Sequence, residues 1–329
     1  MDTQVLLFNQ LKQNHSSHLS LVDELAELLN ISNDSAYRRI RGEKALSLDE
    51  IQKISHHFNI SLDTLFSLKS DNVVFKSIPI GPDGFSIKEW LRAILFDMQR
   101  IFTAKEKEIT YSAKDPPLFH YFHIPEIAQF KVFFWQKTLL QFPEYADKKF
   151  SLLDYDDEIQ QLGMQALAKY VKVPTIELWN VDTFIIVFSQ IEYYWLSGYF
   201  ENKEDIFTLC DKFIVWIQHI KKQAELGFKF IYGTDAIGIE DSFKLFVNEV
   251  VLNDNSILVK MDDIKSTYIT NNVLSLLITT NPAFCQQKES FFKGLCKKSS
   301  LISQANAKDR NIFFNRLLKR VEDFKNTID

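Results

Sequence analysis

Glycine is scarce: nine residues in 329 leave few places for a phosphate-cradling loop, and no Gly-rich run leads into Lys and Ser or Thr. A strained nucleophile elbow, an H-E-x-x-H helix and paired Cys-x-x-Cys motifs are missing as well. These gaps argue against the best-marked hydrolase and metalloenzyme classes, so no catalytic activity, cofactor or metal site is expected. Cysteine is sparser still. Cys210, Cys285 and Cys296 stand far apart in apolar or amphipathic segments, which suits reduced core thiols and not a disulfide framework. Long uncharged apolar runs are lacking too. The most apolar window, Val181 to Phe200, contains Asp182, Gln190 and Glu192, making it a poor bilayer span and a good buried helix. Met1-Asp2-Thr3-Gln4 carries no basic flank, so no signal peptide, no membrane partner and a cytoplasmic location are expected.

What is present is an ordinary globular composition, 46 % hydrophobic and 25 % charged, long enough for two or three domains. The pattern that organises it is Ser32-Asn33-Asp34-Ser35-Ala36-Tyr37-Arg38-Arg39-Ile40-Arg41-Gly42-Glu43-Lys44. Ser32 can cap a short helix, Ala36 and Ile40 form a narrow apolar stripe, and Gly42 can supply a left-handed stop. The other face carries Asn33, Asp34, Ser35, Tyr37, Arg38 and Arg41, side chains suited to base edges and phosphates. Upstream, Ser20 caps a stripe of Val22, Leu25, Ala26 and Leu29, and Asn30 tolerates the positive φ of a tight turn. Downstream, Ser47-Leu48-Asp49-Glu50 is a capping box before Ile51, Ile54 and Phe58, and Asn59-Ile60-Ser61 leads to a last turn with Leu62, Leu65 and Phe66. An opening helix with Val5, Leu6, Phe8 and Leu11 completes five short helices.

Residues 19–66 resemble the Cro and lambda-repressor-like helix-turn-helix domain, the xenobiotic-response-element class, in helix count, loop lengths and the Gly after the second motif helix. The resemblance implies a bacterial or phage-derived regulator that binds double-stranded DNA as a homodimer, with the second motif helix in the major groove. By position, Asn33, Asp34, Tyr37 and Arg38 would face the groove, while Ser32, Arg41 and Lys44 would hold phosphates; Ser35 belongs to the same DNA-binding set. Two departures stand out. Asn30 replaces the usual turn Gly, and Arg39 falls where many members are apolar. Residues 1–67 also contain six basic and nine acidic side chains, although four of the basic ones cluster between 38 and 44. The acidic balance supports a second reading, a protein-interaction scaffold using residues 1–67 as a docking module.

Residues 68–85, with Pro79, Gly81, Pro82 and Gly84, read as a linker or a small extended segment. Residues 86–232 read as a helical regulatory or dimerisation domain. It opens with a helix bearing Trp90, Ile94, Met98 and Ile101 that serves either as a dimer seam or as packing against the body behind it. Segments 124–142, 155–171, 176–200 and 203–226 read as further helices. His120 and His123 are spaced for a helix but flanked by residues of a strand or loop, and a structural pair is expected there. Residues 233–329 read as a small α+β domain, with a hairpin of 246–252 and 257–261, helices at 271–279 and 286–297, and a final helix over 305–327 whose basic face includes Arg310, Arg316, Lys319 and Arg320. The fold class expected is mainly α: a five-helix head, a central helical bundle and the small α+β part. The aromatic interior could enclose an effector, either a small molecule or a peptide.

Overall fold

The computed structural model describes residues 3–14, 20–58, 60, 62, 72–77, 80, 84–249, 255–272 and 274–328. The chain divides into two compact units, residues 1–74 and 75–329.

Unit 1 contains four described helices: α1 (Thr3–Asn14), α2 (Leu21–Leu29), α3 (Asn33–Ile40) and α4 (Leu48–His57). Each of the last three starts at a serine whose hydroxyl accepts a backbone N–H: Ser20 from Asp23, Ser32 from Ser35 and Ser47 from Glu50. Such caps satisfy amides that the first turn of a helix cannot pair. Asn30, with φ +53°, closes α2 in the left-handed region, and Gly42 does the same beyond α3 with φ +81°. Leu7, Phe8, Leu11, Leu25, Ala26, Leu29, Ala36, Ile40 and Ile54 make the core. On α1 it is Leu7 that is buried, whereas Leu6 is 39 % exposed. The expected five-helix head is therefore corrected to four helices among the described residues; Leu65 and Phe66, assigned to its last turn, lie outside them.

Unit 2 overturns the expectation of a mainly α chain. Among its described residues are eight strands: β1 (Lys76–Ser77), β2 (Lys107–Ser112), β3 (Thr175–Trp179), β4 (Phe243–Val247), β5 (Ser256–Met261), β6 (Ile264–Asn272), β7 (Ser275–Thr279) and β8 (Ser300–Leu301). They form one mixed sheet in the order β1-β7-β6-β5-β2-β3-β4-β8. Only β2–β3 and β3–β4 are parallel. Because β2 and β3 share this sheet with β4 to β8, the helical bundle expected over 86–232 and the α+β part expected over 233–329 are one architecture.

Around the sheet lie α5 (Ile87–Thr103), α6 (Leu118–Tyr121), α7 (Pro125–Phe134), α8 (Asp157–Tyr170), α9 (Val181–Leu196), α10 (Lys203–Leu226), α11 (Pro282–Lys297) and α12 (Ala307–Ile328). Alternation along β3 and β5 sends Leu178 and Leu258 to Cys285 and Phe292 of α11, while Val259 goes to the opposite face with Met98, Ile101 and Ile109. Several local expectations are corrected. Residues 176–179 are strand, not the start of a helix, and of the stretch 271–279 residues 271–272 belong to β6 and 275–279 to β7. The runs at 246 and 257 are not hairpin partners, since β4 pairs with β3 and β8, and β5 with β2 and β6. His120 sits on α6 and His123 just after it, both buried. Arg310 is buried and donates to the Ile302 and Ala305 carbonyls. No described helix is long and apolar enough to cross a membrane.

One polar group inside unit 2 needs its partners. Glu177, fully buried on β3, accepts from Tyr170 Oη at 2.6 Å and lies 3.0 Å from His120 Nε2. Nearby, Lys229 Nζ donates to the Val173 carbonyl and Thr175 Oγ1. These bonds offset the desolvation that an isolated buried charge would suffer.

Candidate nucleic-acid interface

The geometry of α3 follows from what holds its inner side. Ala36 and Ile40 face the core with Arg39, which is 4 % exposed. Arg39 Nη2 donates to Glu50 Oε1 at 2.6 Å, and Nη1 donates to Ser35 Oγ at 2.7 Å and to the Ser35 carbonyl at 3.2 Å. Glu50 also accepts the Ser47 backbone N–H on its other oxygen at 2.9 Å. One carboxylate thus caps α4 and anchors α3. The Arg39 hydrogen bond, ahead of the Ser47 amide bond and the neighbouring cations, holds the Glu50 carboxyl below the usual carboxylate range against the opposing effect of burial.

With that side fixed, Asp34, Tyr37, Arg38 and Arg41 project into solvent. Their spacing of three, four and seven residues aligns them on one ridge. Tyr37 is 51 % exposed. Ser32, Asn33 and Lys44 are exposed beside the ridge. Asn33 Nδ2 donates to Asp23 Oδ1 at 2.8 Å, and Ser35, only half-buried, spends its hydroxyl on Arg39. The exposed set is able to offer guanidinium forks, a phenol and an ammonium to a polyanion.

A carboxylate sits among these cations. Glu43 Oε1 lies 3.3 Å from Arg41 Nε, and Oε2 lies 3.9 Å from Arg38 Nε. The turn that carries it is pinned by two amides, Glu43 N and Lys44 N, donating to the Arg38 carbonyl. From α1, Gln4 Nε2 donates to the Arg39 and Lys44 carbonyls at 2.7 and 2.8 Å, and its Oε1 accepts from Leu46 N at 3.0 Å. Gln4, Arg39, Glu43 and Glu50 all shape the surface, yet none was singled out as a site residue from the sequence. Arg39 left a trace there. It lies three residues after Ala36 and next to Ile40, on the stripe that turns inward, and an arginine so placed needs an acid such as the one at the third position of the next capping box.

No curated protein and no solved structure matches the chain. Residues 5–104, however, match the model of the BetR domain, a helix-turn-helix-like family of DNA-binding domains, and at that coarse level the chain has a DNA-binding regulatory role.

Proposed function

We propose that this chain is a sequence-specific transcriptional regulator of the xenobiotic-response-element kind. It reads operator DNA with α3, acts in the cytoplasm as a homodimer, and couples DNA binding to an effector through unit 2, without catalysis of its own. The observation that carries this reading is the outward ridge of Asp34, Tyr37, Arg38 and Arg41, exposed on a helix whose opposite side is locked by the Arg39–Glu50 pair. A helix built so presents donors to a groove without rearranging. Dimerisation compensates for the modest positive charge of one copy, because two linked contacts bind far more tightly than one.

Selection of binding sites from random duplexes, followed by mobility shift with wild type and Arg38→Ala, is the test. Wild type is expected to enrich a two-fold symmetric site with half-sites about 34 Å apart. Replacing Arg38 is expected to cost about 1–3 kcal/mol and relax preference at one base pair, while replacing Lys44 weakens all duplexes alike. Equal affinity of wild type and Arg38→Ala for every duplex removes the assignment. The second reading, a docking module, is favoured by the acidic balance of residues 1–67 and by Glu43 beside the two arginines. It predicts no retention of any duplex at low ionic strength.

A further inference from the structure

We propose that unit 2 contains a binding pocket for a small neutral aromatic molecule; that this molecule is the effector rests on the regulator reading above. Between the sheet and α5, beside α6, lies a pocket of about 140 Å³ that is partly open to solvent. A void of about this size, walled by apolar side chains, takes up benzene. Trp90, Phe119, Tyr121 and Trp135 contribute rings to the walls, and Met98 and Ile257 contribute aliphatic surface. Trp90 and Trp135 meet edge to face with centroids 5.7 Å apart, an arrangement that leaves ring faces and edges to receive another ring.

The polar groups decide the ligand's charge. Asp97 and Asp115 line the cavity, and no Lys, Arg or His does so among the described residues. An anion would therefore meet carboxylates and no cation. Neither acid demands a cation either. Asp115 already lies 2.8 Å from Lys131 Nζ and accepts the Tyr121 hydroxyl, and Asp97 lies 3.6 Å from Arg100 Nη1. The cavity thus presents no charged group in want of a counter-ion, and its walls suit an uncharged ring.

The wall formed by Trp90, Ile94, Asp97, Met98 and Ile101 belongs to α5. That helix is the last element of the stretch matched by the BetR domain, and it follows the DNA-reading unit in the chain. Filling the cavity stabilises the conformation of α5 that forms its wall.

The test is titration of the full-length protein with acetophenone, ethylbenzene and benzoate, followed by calorimetry and tryptophan fluorescence, with duplex mobility shift run in parallel. Acetophenone and ethylbenzene are expected to bind saturably with affinities within about tenfold of each other, and benzoate more weakly than either, since its charge would lose water with no cation beside it. Ile94→Phe and Ile257→Phe, which fill the space from α5 and from the sheet, should each abolish binding. No saturable acetophenone binding, acetophenone binding indifferent to both substitutions, or benzoate bound most tightly would each overturn the pocket assignment. Duplex binding without acetophenone binding removes the pocket and leaves the regulator. Acetophenone binding by a protein that holds no duplex upholds the pocket and removes its role as an effector site.

Discussion

Arg39 and Glu50 meet at 2.6 Å across two consecutive helices, with 5 % and 20 % of their side chains exposed. Removing one partner of a buried pair strands the other. Arg39→Met is therefore expected to destabilise unit 1 by about 3 kcal/mol, near the low end for such pairs because Glu50 keeps some contact with water. Hydrogen exchange of residues 33–57 in the full chain reads this directly, and unchanged protection would contradict it.

The same pair sets an acid limit. The Glu50 carboxyl titrates below its ordinary value in the folded chain, so its contribution is complete above the unfolded pKa of about 4.3 and is lost as pH falls through the lower folded value. Glu50→Gln should be less stable at pH 7 and show a flatter decline below pH 4.5 in the same exchange measurement.

On the proposed reading, Glu43 stands between the Arg38 and Arg41 guanidinium groups and the phosphates they would hold. Glu43→Gln is expected to tighten binding to any duplex and to steepen the dependence of log K on log salt by about one unit, as one more contact is neutralised by DNA. Fluorescence anisotropy between low and moderate salt checks this, and a weaker or unchanged affinity would count against α3 as the DNA-facing helix.

How much of this surface could be read beforehand varied with the range of the interaction. The caps at Ser20, Ser32 and Ser47 and the turn at Asn30 were legible because a cap is written within four residues. The Arg39 guanidinium was not, because its partner lies eleven positions on. The sheet was least visible. Thr175–Trp179 runs straight into the cap at Asn180, so strand and helix merged into one apolar stretch. The apparent hairpin at 246–261 failed for a related reason: β4 finds its partners at 175–179 and 300–301, a pairing that no neighbouring residue announces. The cavity behind Trp135 is likewise a product of elements far apart in the chain.

Acid should affect unit 2 in a different window. Burial pushes the His219 imidazole down to about 4, and burial together with the neighbouring His219 holds His123 well below its usual range. The unfolded chain takes up these protons near pH 6.5 and the folded chain does not, so stability falls as pH drops from about 6.5 toward 4. His219 alone should cost about 2 kcal/mol at pH 5. All five tryptophans lie in unit 2, so urea unfolding followed by their fluorescence isolates the effect, and His219→Gln should flatten it.

Gly163 tests the packing of α8. A Cβ built there would come within 2.0 Å of the Phe122 ring, and Phe122 is 1 % exposed. Gly163→Ala is expected to lower stability by about 1–3 kcal/mol despite the better helix propensity of alanine. A rise in the urea midpoint would show that the ring has room to withdraw.

The interleaving of the sheet also bears on how the chain is made. On the ribosome, the segments of β2 and β3 emerge with both outer edges bare, since β4 and β5 follow only after residues 243 and 256 are translated. A nascent chain in that state offers unpaired strand edges to any neighbour, and the exposure ends only when the later strands β4 and β5 cover them.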